Sequence, residues 1–319
     1  MKDYGEIPGG RNELQPLIYP FHRYYPLKLW SKYRWFQNSC LPSLLPSLNK
    51  KRKLITVVDR LGAPGDALIT ANIIRCIKEK YPQLRVNCIT PHPELIRLDP
   101  HINSINQPET FYSFDSTYWE LIIRKEKNQN IIEHNMLRLG IDKYDYKAAY
   151  YPSEEEKDWA KQETSQFTKP ILAICTKSKE PVKNWPQANW SELIQNLKAN
   201  FSILQLGDDR EPTFAAVHRY AGTLSMRESA AILSHASYFI GPDSLLMHIA
   251  NGLDIPSTII FGGSRPADCF GYSENVNLWS TPKCSPCWIH EGYESCDHNL
   301  MCMKEIKPQD VTPRPIILN

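Results

Sequence analysis

A short apolar run, a turn and an amphipathic helix follow one another twice along the chain, and this alternation limits the fold more than any other feature. The first series opens with LITVVD at 54–59, rich in β-branched residues and bounded by charge, as a buried strand would be. The turn RLGAPGD (60–66) comes next. Ile69, Ile73, Cys76 and Ile77 then fall at i, i+4, i+7 and i+8, one face of a helix that Pro82 stops. RVNCIT (85–90) supplies the next strand and completes a βαβ unit. A helix is expected over 116–139, and Ser153 with Glu156 has capping-box spacing for another. The rhythm restarts with strand PILAICT (170–176), helix 186–200 and strand 201–207. A helix near Glu211–Tyr220 follows, then one opened by Ser225 and Glu228, strand 237–241, helix 244–253 and strand 256–262. Alternation of this kind implies parallel sheets covered on both faces. Two series joined near 140–170 predict an α/β protein of two facing doubly wound domains, with ligand at the carboxyl ends of the strands.

Charge narrows the function. Across 319 residues Lys and Arg number 37 against 35 Asp and Glu, which argues against dedicated nucleic-acid binding. No apolar run approaches the ~18–20 residues of a membrane span, and residues 1–30 lack the apolar core of a signal peptide. A cytoplasmic chain is therefore expected. The near-neutral total hides a division, because residues 1–53 carry ten Lys/Arg and three Asp/Glu, with nine aromatics and six prolines. This basic aromatic arm has two readings. It lies on an anionic membrane surface, placing the protein peripherally at the inner face of the cytoplasmic membrane. Alternatively it packs onto the domain behind it or a partner, the reading its prolines favour because they break a long amphipathic helix.

Three loops can carry chemistry. Gly62-Ala63-Pro64-Gly65-Asp66 is neither a P-loop nor G-x-G-x-x-G; it offers a carboxylate at a helix N-terminus, either facing a cleft or serving as an N-cap. In PDSLLMH, Asp243 precedes a helix on which Ser244 and His248 lie four apart on one face. That set is either a receptor for phosphate or an N-cap beside an ordinary histidine. Lys183, in EPVKNWP, is either a neutraliser of diphosphate or a solvated charge.

Taken together, LGAPGDALITANIIRCIKEKYPQLRV, KNWPQANWSELIQNL, LQLGDDRE, the segment from AGTLSMRESA to DIPSTIIFG, and a cysteine-bearing tail ending CMKEI resemble glycosyltransferase family 9, the ADP-heptose:lipopolysaccharide heptosyltransferases. The resemblance covers about residues 54–306. It implies a GT-B fold of two Rossmann-like domains: an acceptor domain over 54–165, shortened relative to the family, and a donor-binding domain over 166–319. It implies inverting transfer without a catalytic metal, from a nucleotide-diphosphate sugar such as ADP-heptose to a glycan or glycolipid hydroxyl. By position, Asp66 matches the catalytic base. Lys183 matches the lysine on the donor phosphates, Asp243, Ser244 and His248 the donor loop, and Glu211 an acidic residue at the nucleoside end. Gly65 adjoins the base and is placed with the donor-binding set. Leu245 stands where the family usually has glycine. Alternatives are another nucleotide-sugar donor, a protein acceptor, or a non-catalytic binding or assembly module.

Nine cysteines, an odd number, suggest reduced thiols in a cytosolic protein. Four of them, Cys284, Cys287, Cys296 and Cys302, fall within nineteen residues. A C-x2-C pair with two further thiolates can clamp a tetrahedral Zn²⁺, with iron open, and His290 and His298 are alternative ligands. Some heptosyltransferase-like enzymes that modify autotransporter proteins have a cysteine-bound iron, and the resemblance to them keeps iron open here. The expected role is structural, a clip over 284–302 that orders a loop beside the donor site.

Overall fold

The computed structural model describes residues 27–289, 296–311 and 313, with side chains from residue 38 onward. Residues 1–26 of the basic arm, and His290, lie outside the described residues. Two compact units emerge. One contains the chain up to Ile123 and Ile131–Tyr151, the other Arg124–Asn130 and the chain from Pro152.

The first unit begins with helix α1 (Leu27–Lys50), followed by β1 (Leu54–Asp59), α2 (Pro64–Lys80), β2 (Arg85–Ile89), α3 (Pro93–Ile96), β3 (Ser104–Ile105), β4 (Ser113–Ser116), α4 (Trp119–Arg124) and α5 (Ile131–Leu139). Its four strands are all parallel, in the order β3-β2-β1-β4, with Val57 opposite Cys88 on one side and Phe114 on the other. Ile55, Val57 and Val58 are fully buried, as expected of a central strand covered on both faces.

Helix α1 corrects the expectation that prolines break the arm, since Pro42 and Pro46 lie inside its 24 residues. Docking outweighs the lost hydrogen bonds. Leu41, Leu45 and Leu48 are buried at helical spacing, each worth roughly 1.5–3 kcal/mol when taken from water. Asn38 also exchanges two 3.0 Å hydrogen bonds with Asp115 of β4, one to its carboxylate and one from its backbone N–H. The single helix expected over 116–139 is also corrected: β4 ends at Ser116, and α4 and α5 are separated by KEKNQN. That segment has no apolar face, and Lys125 enters the left-handed region at φ +54°.

The second unit contains α6 (Glu154–Thr164), β5 (Ile171–Ile174), a 3₁₀ turn at Pro181–Lys183, α7 (Gln187–Leu197), β6 (Ser202–Gln205), β7 (His218–Arg219), α8 (Met226–Leu233), β8 (Tyr238–Pro242), α9 (Leu245–Gly252), β9 (Ser257–Gly262), α10 (Ala267–Phe270), β10 (Val276–Trp279) and α11 (Met301–Glu305). Both capping boxes form: Ser153 and Ser225 accept from the backbone N–H of Glu156 and Glu228, whose carboxylates reach back. The helix expected near 211–220 does not. Glu211 is drawn to the strand ends, Ala216 adopts φ +65°, and His218–Arg219 instead pairs with β6. All six strands are parallel, in the order β10-β9-β8-β5-β6-β7. Sequence order therefore reverses between β5 and β8, and the same reversal occurs between β1 and β4 in the first unit. Open α/β sheets bind ligands at such points, beyond the strand carboxyl ends. Among the described residues no helix is long and apolar enough to cross a membrane.

Candidate functional site

Each switch point gathers a cluster of charged side chains. In the first unit the Asp59 carboxylate shapes the loop after β1, accepting the N–H groups of Leu61 (3.1 Å) and Gly62 (2.7 Å) and the Thr90 hydroxyl (3.0 Å). That loop delivers Asp66 to the third residue of α2, so Ala63, not Asp66, is the N-cap. The Asp66 carboxylate is buried and reaches back to the Ala63 N–H (3.0 Å), while its other oxygen accepts the Tyr118 hydroxyl (2.9 Å). Tyr118 follows β4, so this contact spans the switch point. Gly65 sits beside Asp66 in the first turn of α2 and belongs to the first unit. The remaining donor candidates belong to the second.

There, Lys183 at the end of the 3₁₀ turn places its Nζ 2.8 Å from Oδ2 of Asp243, at the end of β8. Both side chains are almost wholly buried. Burial pushes the Asp243 carboxyl up, but the Lys183 and Arg265 charges outweigh it and hold the group below the usual carboxylate range. Ser244, rather than Asp243, is the N-cap of α9. One turn later the buried His248 meets the Tyr272 hydroxyl through Nδ1 at 2.7 Å. Burial pulls His248 down to about 4 against the attraction of Asp243, so the imidazole is neutral at physiological pH.

This depression makes stability pH-dependent. Between about pH 6.5 and 4 the unfolded chain binds a proton at His248 that the folded chain does not, so stability falls as pH drops through that window, by about 3 kcal/mol. Asp243 acts in the same direction only below its ordinary value of 3.8. Thermal unfolding at pH 7.0 and 4.5 is expected to show this loss, and His248→Asn to flatten it. An unchanged slope in the variant would assign the effect to another group.

Glu211 is brought to the same strand ends but faces the protein. Its carboxylate accepts the N–H of Thr176 (2.9 Å) and of Lys177 (2.8 Å), the Gln205 amide (3.1 Å) and the Thr176 hydroxyl. A side chain at Gly207, at φ +127°, would strike this carboxylate, so the turn after β6 needs glycine. Two residues that the sequence reading missed join the cluster. Arg265, in the loop after β9, donates to Glu180 at 2.9 and 3.2 Å. Glu180 also lies 3.5 Å from the Lys183 Nζ.

Among the described residues no three His, Cys, Asp or Glu side chains are arranged to hold a metal ion. Cys284, Cys287, Cys296 and Cys302 are half-buried free thiols. Their segment is anchored nonetheless. Met303 is buried so tightly against Gly262 that any side chain there would overlap its sulfur. Ile306 accepts the Trp185 indole N–H at 2.9 Å. Burial raises the Cys302 thiol, against backbone hydrogen bonds from Gly263 and Met303 that lower it.

Residues 116–296, more than half of the chain, match the family model for glycosyltransferase family 9 (heptosyltransferase). The chain is 27% identical over 143 residues to the Escherichia coli autotransporter heptosyltransferase Aah, covering 42% of this chain and 36% of that protein. It is 31% identical over 111 residues to Salmonella typhimurium lipopolysaccharide heptosyltransferase 1, covering 32% and 35%. Each match thus spans about a third of the relative's length. The fold is similar to that of TibC from enterotoxigenic E. coli H10407, described as a dodecameric iron-containing heptosyltransferase and solved with ADP-D-β-D-heptose. The TM-score is 0.62 at 19% identity, over 81% of this chain and 73% of that one.

Proposed function

The chain belongs to glycosyltransferase family 9, and we propose that it is an inverting glycosyltransferase that moves a heptose from ADP-heptose to a hydroxyl acceptor. The observation that carries this reading is the placement of Lys183, Asp243, Ser244 and His248 at the switch point of the six-stranded sheet, where a doubly wound fold binds nucleotide. The ADP-heptose bound to TibC, which shares the fold, supports the donor. Lys183 and the N-terminus of α9 would stabilise the charge growing on the departing diphosphate. Asp66 would accept the proton of the acceptor hydroxyl as its oxygen bonds the anomeric carbon and the bond to diphosphate breaks. Glu211 would act indirectly, fixing the Thr176–Lys177 backbone from which the donor loop starts.

Lipopolysaccharide is the acceptor suggested by the Salmonella relative, and an autotransporter protein is the one suggested by Aah. The test is titration of the full chain with ADP-heptose and with UDP-, GDP- and CDP-sugars, followed by mass spectrometry of glycolipid and protein acceptors. Transfer from ADP-heptose alone supports the proposal. Absence of nucleotide binding overturns it in favour of a non-catalytic module.

We also infer that Cys284, Cys287, Cys296 and Cys302 close around one Zn or Fe ion. The donor set, a C-x2-C pair with two further thiols within nineteen residues, suits either metal. The ion would be structural, holding the segment that grips the loop after β9. Elemental analysis is expected to find about one metal per chain. Its removal, or Cys287→Ser, is expected to lower the melting temperature of the second unit by about 5–10 °C. Purified, folded protein with less than stoichiometric Zn and Fe together would end the idea.

A further inference from the structure

Glu180, Lys183, Asp243 and Arg265 form a four-charge cluster at the mouth of the switch point, and its members are not equivalent. Asp243 is directly bonded to Lys183 at 2.8 Å, and both are nearly enclosed, with side chains 11% and 10% exposed. The Arg265 side chain is 4% exposed, whereas that of Glu180 is 20% exposed. Glu180 is also the member carried on a loop between strand and 3₁₀ turn, next to the exposed Lys179. Its carboxylate sits between the two cations, 2.9 and 3.2 Å from Nη2 of Arg265 and 3.5 Å from Nζ of Lys183. A carboxylate shared by a guanidinium and an ammonium occupies the place that suits a phosphate oxygen.

Resting on the donor-site reading above, we propose that Glu180 is an intramolecular stand-in for the donor's diphosphate, and that Arg265 is the second cation that receives the diphosphate when Glu180 swings out. The charge balance requires the exchange. Two cations and two carboxylates leave the cluster neutral, so a diphosphate entering beside an undisplaced Glu180 would gain no net attraction. With Glu180 in water, the two positive charges of Lys183 and Arg265 would outnumber the one negative charge of Asp243 and draw the incoming anion. At 20% exposure Glu180 is the least enclosed of the four, and so the member that leaves at least cost.

Arg265 is held in readiness from behind. Its guanidinium lies 5.3 Å from the centre of the Phe270 ring. The loop that carries it is gripped by the cysteine segment: Ser285 donates to the Gly263 carbonyl (2.9 Å), and Trp288 N–H to that of Ser264 (2.8 Å). A side chain at Gly263 would meet Cys302 Cβ at 2.8 Å. The loop therefore has little freedom to withdraw Arg265, and the mobile partner of the pair is Glu180.

The two substitutions have opposite expected signs, which makes the test sharp. Calorimetry on the full chain would compare wild type, Arg265→Gln and Glu180→Gln, using the best-bound of ADP, GDP, CDP and UDP, its monophosphate and its nucleoside. Arg265→Gln is expected to raise the diphosphate Kd about tenfold or more while changing the nucleoside Kd by less than about twofold. Glu180→Gln is expected to lower the diphosphate Kd by about three- to tenfold and leave the nucleoside Kd unchanged. If Arg265→Gln fails to fold, Arg265→Lys, which keeps the charge and loses the fork, should give a smaller loss of the same selectivity. Equal weakening of diphosphate and nucleoside by the arginine variant would make Arg265 merely structural. A Glu180 variant that binds diphosphate no more tightly would overturn the stand-in. Wild-type protein that binds no nucleoside diphosphate would instead overturn the donor-site reading, and this proposal with it.

Discussion

An Asp66→Asn variant is expected to keep its nucleotide affinity and to lose about 10²–10⁴ in kcat, the range typical of a general base. The structure explains why the loss should be chemical. Asp66 holds one oxygen toward the Ala63 N–H and the other toward the Tyr118 hydroxyl, so its orientation is set by the start of α2 and the end of β4. Asparagine keeps the size and one acceptor oxygen but turns an N–H toward the Ala63 donor or the Tyr118 oxygen. With its oxygen toward the Ala63 N–H and its NH2 toward the Tyr118 oxygen the amide keeps both contacts; the flipped orientation would lose the Ala63 bond, at about 1–3 kcal/mol. The nucleotide candidates Lys183, Asp243 and His248 belong to the other unit. Calorimetry with ADP therefore separates the roles. A kcat within about threefold of wild type, at unchanged folding, would remove Asp66 as the base; a parallel loss of ADP affinity would show it to be structural.

Asp66 also shows where sequence reasoning reached its limit. Spacing alone left it either an N-cap or a carboxylate aimed at a cleft, and only the resemblance to a family separated the two. Its geometry is more particular than either, because Tyr118 follows a strand that the sequence did not reveal. SFDS is only four residues long and alternates too briefly to stand out, and the helical periodicity around it extended into 116–139. Strands such as LITVVD and PILAICT were legible because a parallel strand buried on both faces is apolar throughout. Helix α1 was not, because Pro42 and Pro46 argue locally against a helix that leucine burial and the Asn38–Asp115 pair stabilise from outside it. Glu180 and Arg265 stand 85 residues apart, in unremarkable loops. Their meeting depends on strand order, with β8 between β5 and β9, which no local pattern encodes. Lys183 and Asp243 were legible as residues, and their bond to each other was not.

That bond predicts the largest stability effect in the molecule. Lys183→Met removes the nearest cation from a buried carboxylate, and breaking one side of a buried ion pair typically costs about 3–5 kcal/mol. Arg265 also holds the Asp243 carboxyl down, so the lower part of that range is expected. The double variant Lys183→Met/Asp243→Asn should recover most of the loss, because removing both charges also removes their desolvation cost. Function should not recover with it. A diphosphate site needs the ammonium itself, so the single and the double variant should both bind ADP about tenfold or more weakly than wild type. Denaturant unfolding and ADP titration on the four proteins of this cycle read the two properties separately. If stability and affinity return together in the double variant, Lys183 serves only to neutralise Asp243. If stability returns and affinity does not, the lysine has two partners, Asp243 in the empty site and the donor's phosphates in the filled one.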